Sequence, residues 1–191
     1  MVQAREDGPL VTRARDGDEE AWRELYLLHG RRLVAWLSTA PTGDVVADAD
    51  DVAAEAWLVA ATRMGEFSGS DEDFGGWLVG ISRHVVSNHR RRAMRRRTDP
   101  SDQIGQGVGD LHVEPEDPDS VALDLTRRML ALLSPREAEV IACIDVSGLD
   151  VSATARALDM SPTAVRVARH RALGRLRRLI GDGTIDVHGQ G

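Results

Sequence analysis

The chain has 191 residues, 42% of them hydrophobic and 29% charged, with a formal net charge of -7. That balance suits a soluble folded protein of two small domains or one mid-sized one. No apolar run reaches the roughly 18 to 20 residues that a membrane span needs, and the opening MVQAREDGPLVTRARDGDEEAW lacks the apolar stretch of a secretory leader. A single cysteine, Cys143, excludes an intramolecular disulfide and a cysteine zinc site. We therefore expect a cytoplasmic protein with no membrane insertion of its own.

In chain order, residues 1–15 read as an N-terminal tail. Asp16–Thr39 carries the apolar anchors Trp22, Leu25, Tyr26, Leu33, Trp36 and Leu37, which predict one or two amphipathic helices ending at APTG, Ala40–Gly43. A helix over about Val46–Met64 follows. Val52, Ala56, Ala60 and Met64 line one side of it, and Asp48, Asp51 and Glu55 another. GEFSGSDEDFGG, Gly65–Gly76, reads as a loop. Trp77 to about Arg95 reads as a third helix, with Trp77, Ile81, Val85 and Val86 packed inward.

Thr98–Ser120 is rich in Gly, Pro and Asp and has no sustained apolar period, as a flexible acidic linker does. Beyond it, SPRE at Ser134–Glu137 is a capping box, opening a helix that holds Val140, Ile141 and Ile144 and ends near Ser147–Gly148. A short helix over about Val151–Leu158 precedes a new N-cap with proline, Ser161–Pro162. The helix opened there carries Val165, Ala172 and Leu176 on one stripe, so the pair is a helix-turn-helix candidate. No run alternates as a strand does. The expected fold is all-α: two small helical domains, 16–97 and 121–180, joined by the flexible acidic linker at 98–120 and followed by a tail at 181–191.

The net charge hides two basic blocks. Residues 90–97 hold six arginines, and residues 125–178 hold ten against five acids, whereas residues 98–124 hold eight acids and no base. Two readings compete for the arginine run. Cations suit a solvated helix C-terminus, but six of them repel one another more than that small gain requires. DNA phosphates would relieve the repulsion, with Arg90, Arg91 and Arg92 the best placed. In the last helix Thr163, Arg166, Val167 and His170 share a face at i, i+3, i+4 and i+7, with Arg169 adjacent. Arg166 suits a guanine edge in the major groove and the others bases or phosphates; Ser161 and the amides after it suit a phosphate. A basic helix that binds another protein is the rival reading of this face. No phosphate-binding glycine motif or nucleophile elbow occurs, and the six histidines are scattered. An enzyme is not expected, nor a metal or cofactor.

Three stretches resemble the sigma-70 family of bacterial RNA polymerase sigma factors, in particular its extracytoplasmic-function (ECF) group. DDVAAEAWLVAATRMGEF is similar to region 2.2, FGGWLVGISRHVVSNHRRR to regions 2.3 and 2.4, and LSPREAEVIACIDVSGLDVSATARALDMSPTAVRVARHRALGRLRR to region 4. The resemblance implies a dissociable factor that binds core RNA polymerase, through the coiled coil of the largest subunit and the flap region, and directs initiation at promoter DNA. The helix bearing Asp48, Asp51 and Glu55 would dock on that coiled coil, although a carboxylate row is also an ordinary solvated surface. Ser68, Ser70, His84 and Asn88, with Arg90, Arg91 and Arg92, would serve the -10 element, the loop after Phe67 holding a flipped base. Ser161, Thr163, Arg166, Val167, Arg169 and His170 would read the -35 element. An anti-sigma factor as regulator is likewise implied by resemblance.

The chain departs from the family pattern at Ala54, where Gln is usual, and at His84, where Asn is common. Asp159 replaces the glycine of the helix-turn-helix turn, a position where Asp tolerates the left-handed conformation better than most residues. Ala168 and Arg169 replace a common Arg–Leu pair, so the base preference of relatives does not transfer. LSPREAEV also resembles the DNA-binding domain of LuxR-type regulators. A stand-alone regulator is thus the alternative, and an adaptor whose basic helices bind acidic partners is a third reading.

Overall fold

Eight α-helices and no strand form among the described residues of the computed structural model, 8–39, 48–98 and 118–182. They are α1 (Leu10–Arg15), α2 (Glu19–Thr39), α3 (Ala49–Arg63), α4 (Asp71–Thr98), α5 (Pro118–Ala131), α6 (Pro135–Ile141), α7 (Val151–Leu158) and α8 (Pro162–Gly181). A 3-10 turn, Met64–Glu66, extends α3, and a widened π turn, Ala142–Val146, extends α6. Helices α1–α4 make one helical domain and α5–α8 the other.

The first domain is wider than its apolar period suggests. Residues 10–15 are not tail but helix α1, which buries Val11 and Ala14. The amides of Leu10 and Val11, which no local side chain caps, donate to the Asp71 carboxylate at 2.9 Å each, so an acid 60 residues downstream supplies the missing cap. The loop expected over Gly65–Gly76 ends early for a related reason. Asp71, Glu72 and Asp73 fill the first turn of α4 and favour its positive end, so the helix starts at Asp71 and runs through both glycines. The core holds Val52, Ala56, Ala60 and Met64 from α3, with Ile81, Val85 and Val86 from α4. Tyr26 departs from expectation. It is 58% exposed, resting on Trp57 at a ring separation of 5.3 Å.

In the second domain the capping box forms. Glu137 accepts from the Ser134 amide at 3.1 Å and its hydroxyl at 2.8 Å, and the Glu137 amide donates to Ser134 Oγ. Those Ser134 donors hold the Glu137 carboxyl below its usual range. Cys143 is fully buried, as expected of a small hydrophobe, and burial pushes its thiol up to about 12. The expected linker is shorter at its far end, because α5 begins at Pro118. Its remainder, 99–117, and the expected tails at 1–7 and 183–191 lie outside the described residues, as does the break at Ala40–Gly43.

Candidate nucleic-acid interface

The interface is built on two helices. Helix α4 presents Trp77, His84, Asn88 and Arg91 along one face by the 3.6-residue period, with Arg92 on its flank and Arg90 turned toward the opposite side. His84, Asn88, Arg90, Arg91 and Arg92 are exposed. Asn88 Oδ1 accepts from the Arg91 guanidinium at 2.9 Å, which draws one arginine back along the helix. The polar stripe continues from aromatic rings at the helix start. Phe67 lies 4.8 Å from Trp77 and 5.9 Å from Phe74, centroid to centroid, and Phe74 is fully buried between them and Trp57.

The loop between Phe67 and α4 is fixed from several sides. Arg15 donates to the Phe67 carbonyl oxygen. A Cβ on Gly69 would come within 2.6 Å of the Phe67 ring and 2.7 Å of Asp73 Cβ, so only glycine fits there. Ser68 is exposed, but Ser70 is committed. Its amide donates to Asp73 at 3.0 Å, and its hydroxyl to Asp73 at 3.1 Å and Glu72 at 2.9 Å, starting α4. The Ser70 amide is the main reason that the Asp73 carboxyl sits below the usual carboxylate range. Arg15, Gly69 and Asp71 carry this loop, and sequence reasoning did not single them out.

The acidic stripe on α3 divides. Asp48 is the N-cap, accepting from the Asp50 amide at 3.2 Å. Glu55 is not an open carboxylate, because it pairs with His89 Nε2 of α4 at 2.7 Å. Asp51 is exposed on a stripe that includes Ala54 and Leu58, the latter 69% exposed, and Asp48 is exposed at the N-terminal edge of that stripe.

In the second domain the turn between α7 and α8 has the expected form. Asp159 is left-handed at φ 52° and ψ 55°, the one non-glycine residue with positive φ among the described residues. Ser161 caps α8, accepting from the Ala164 amide at 3.1 Å, with Pro162 in the first turn. Val165, Ala172 and Leu176 face the core, which turns Thr163, Arg166, Val167 and His170 outward together. Arg169 is set apart from them. Its guanidinium grips Asp145 of the π turn through two bonds of 2.5 and 3.1 Å, which raises its affinity for the proton further and ties α8 to α6.

Comparison with known proteins places both helices. Residues 25–96 match the family model described as Sigma-70 region 2, and residues 123–176 match that of Sigma-70, region 4. The chain is similar to the ECF RNA polymerase sigma factor BldN of Streptomyces coelicolor, 30% identical over 91% of this chain, and spans 65% of that relative's length. It is 32% identical to the ECF RNA polymerase sigma factor ShbA of Streptomyces griseus, covering 90% of this chain and 94% of the relative. Its fold is similar to that of the sigma factor RpoE in complex with the anti-sigma factor NepR from Bartonella quintana. The TM-score there is 0.61 at 22% identity, over 83% of this chain and 95% of that one. With two helical domains in this order and relatives aligned along nearly the whole length, the chain belongs to the sigma-70 family, in its extracytoplasmic-function group.

Proposed function

We propose that this chain is a promoter-specificity factor that binds core RNA polymerase, reads a -35 element with α8 and engages the opened -10 element with α4. The observation that carries the reading is the pairing, on one chain, of two helices with outward polar faces belonging to regions 2 and 4. On α4 and the loop before it, half-buried Trp77 offers stacking surface, Ser68, His84 and Asn88 polar contacts, and Arg90, Arg91 and Arg92 charge for phosphates. On α8, Arg166 offers a fork for a guanine edge and Val167, 43% exposed, an apolar contact for a thymine methyl. Thr163 and His170 flank them, and the amides after Ser161 suit a phosphate.

Asp51 and Leu58 support α3 as the docking face for the coiled coil of the largest polymerase subunit, with Asp48 at its edge. Glu55 and Arg169 act one step back, by positioning α4 and α8. An anti-sigma partner and a cytoplasmic location complete the proposal; among the described residues no helix is long and apolar enough to cross a membrane. The stand-alone LuxR-like regulator is not favoured, because residues 25–96 match sigma region 2.

Run-off transcription with core polymerase tests the division of labour. Arg166→Glu is expected to abolish transcription that depends on a -35 element and to leave polymerase binding intact. Loss of both together would overturn it.

A further inference from the structure

Glycine inside an α-helix is less stable than alanine, because its backbone loses more freedom on folding and it packs no side chain. An interior glycine therefore calls for a reason. Gly30 of α2 has one, since a Cβ there would touch the Tyr26 ring at 3.4 Å. Gly75 and Gly76 of α4 have another, where that helix meets the second domain. A Cβ on Gly76 would lie 2.9 Å from Ala153 Cβ and 2.9 Å from its carbonyl oxygen, and one on Gly75 would lie 3.1 Å from His29 and from Leu149. Gly80 of α4 and Gly174 of α8 have neither. A Cβ at either position would meet nothing within 4 Å outside its own stretch of helix. Nor is conformational freedom used, because both lie within unbroken helix and the described glycines with positive φ are Gly17 and Gly148.

Place distinguishes these two glycines. Both fall on the faces that carry the candidate nucleic-acid contacts. On α4, Gly80 follows Trp77 by three residues and precedes His84 by four, so it forms the surface between them. On α8, Gly174 extends the face of Thr163, Arg166, Val167 and His170 by one more turn. Its neighbours on the helix surface, at i−4, i−3, i+3 and i+4, are His170, Arg171, Arg177 and Arg178, all exposed. Arg178 Nε donates to the Gly174 carbonyl oxygen at 3.3 Å and leaves the space above the glycine open. The result is a bare patch of helix backbone framed by guanidinium groups.

We propose that Gly80 and Gly174 are close-approach positions, at which a sugar-phosphate strand of promoter DNA lies directly against the helix backbone. Both assignments rest on the sigma-factor reading. Gly174 lies eight positions beyond Arg166, about 12 Å along the axis at about 1.5 Å per residue, and the major groove is about 12 Å wide. With Arg166 at a base edge, Gly174 is level with the phosphate rim of the groove, where Arg171, Arg177 and Arg178 surround it. On α4, a single strand that stacks a base on Trp77 and reaches His84 crosses Gly80 on the way, and the missing side chain lets it stay against the helix. Removing a Cβ also brings a phosphate nearer to the flanking cations, and their attraction rises as the separation falls.

Alanine at each position separates a role in the fold from a role toward DNA. Gly80→Ala and Gly174→Ala in the full chain should each raise the melting temperature by about 2–4 °C, because nothing in the fold opposes the added methyl. The same variants should weaken DNA binding. Fluorescence anisotropy, with bacterial core polymerase present, follows binding to labelled fragments of a promoter on which the wild-type chain initiates, between about 50 and 200 mM KCl. Gly174→Ala is expected to bind the duplex -35 fragment about fivefold or more weakly, with a salt slope smaller by about one. Gly80→Ala should lose affinity in the same way for a fragment whose -10 segment is held open by mismatches, and bind the duplex -35 fragment as the wild type does. Leucine, still a better helix former than glycine, should deepen each loss. A variant that is more stable than the wild type yet keeps its affinity and salt slope overturns the assignment at that position. So does a variant that is no more stable, since the glycine then has a reason within the fold. If the wild-type chain initiates on no promoter, the sigma-factor reading falls and both assignments fall with it; if it initiates and the variants bind as it does, only the assignments fall.

Discussion

His29 sits where α2 meets α4, its ring 5.4 Å from that of Phe74 and close against Gly75. Burial lowers its affinity for the proton, and the nearby Arg32 guanidinium adds to the effect. The unfolded chain therefore takes up a proton near pH 6.5 that the folded chain refuses. The resulting stability is fully present above about pH 6.5 and is lost as pH falls below it. Asp18, Glu20, Asp73 and Glu137 have lowered values and lose their contribution only further down, from their unfolded values of 3.8 and 4.5. Between pH 7.5 and 5.5 the wild-type melting temperature should thus fall more steeply than that of His29→Gln, followed by scanning fluorimetry; parallel slopes would contradict the assignment. At this scale the outward face of α8 was legible, because Thr163, Arg166, Val167 and His170 follow from a period of 3.6. What Arg169 and Glu55 touch was not. Their partners, Asp145 and His89, lie 24 and 34 positions away, and periodicity carries no information across such distances.

At the scale of elements, the helix ends decide the architecture. The turn between α7 and α8 holds Asp159 in a conformation that suits glycine, at φ 52°. Asp159→Gly should stabilise the chain by about 0.5–1 kcal/mol in urea melts, by relieving that strain. Destabilisation would mean that the Asp159 side chain makes a contact worth more than the strain. The Ser134–Glu137 and Ser161–Pro162 starts were readable because each cap lies within three residues of the amide it serves. The start of α1 was not, because Asp71 caps it from another helix. The start of α4 was missed differently: Gly75 and Gly76 suggest a loop by local propensity, whereas the cap at Ser70, the acidic first turn and packing against Ala153 outweigh it.

For the whole molecule, the segregation of charge fits the division of surfaces. Basic residues end α4 and line α8, while residues 98–124, between the two in sequence, hold eight acids and no base. The all-α, two-domain order was legible from periodicity and punctuation alone. The contact between domains was not, since Gly76 and Ala153 leave no mark in the sequence beyond being small. As a whole, the molecule is proposed to serve core RNA polymerase as a specificity factor. Size-exclusion comigration of the folded chain with purified bacterial core polymerase, followed by run-off transcription from candidate promoters, tests it most directly. Stable comigration with promoter-specific transcripts is the result expected; a folded chain that elutes apart from polymerase and yields no transcript would contradict it.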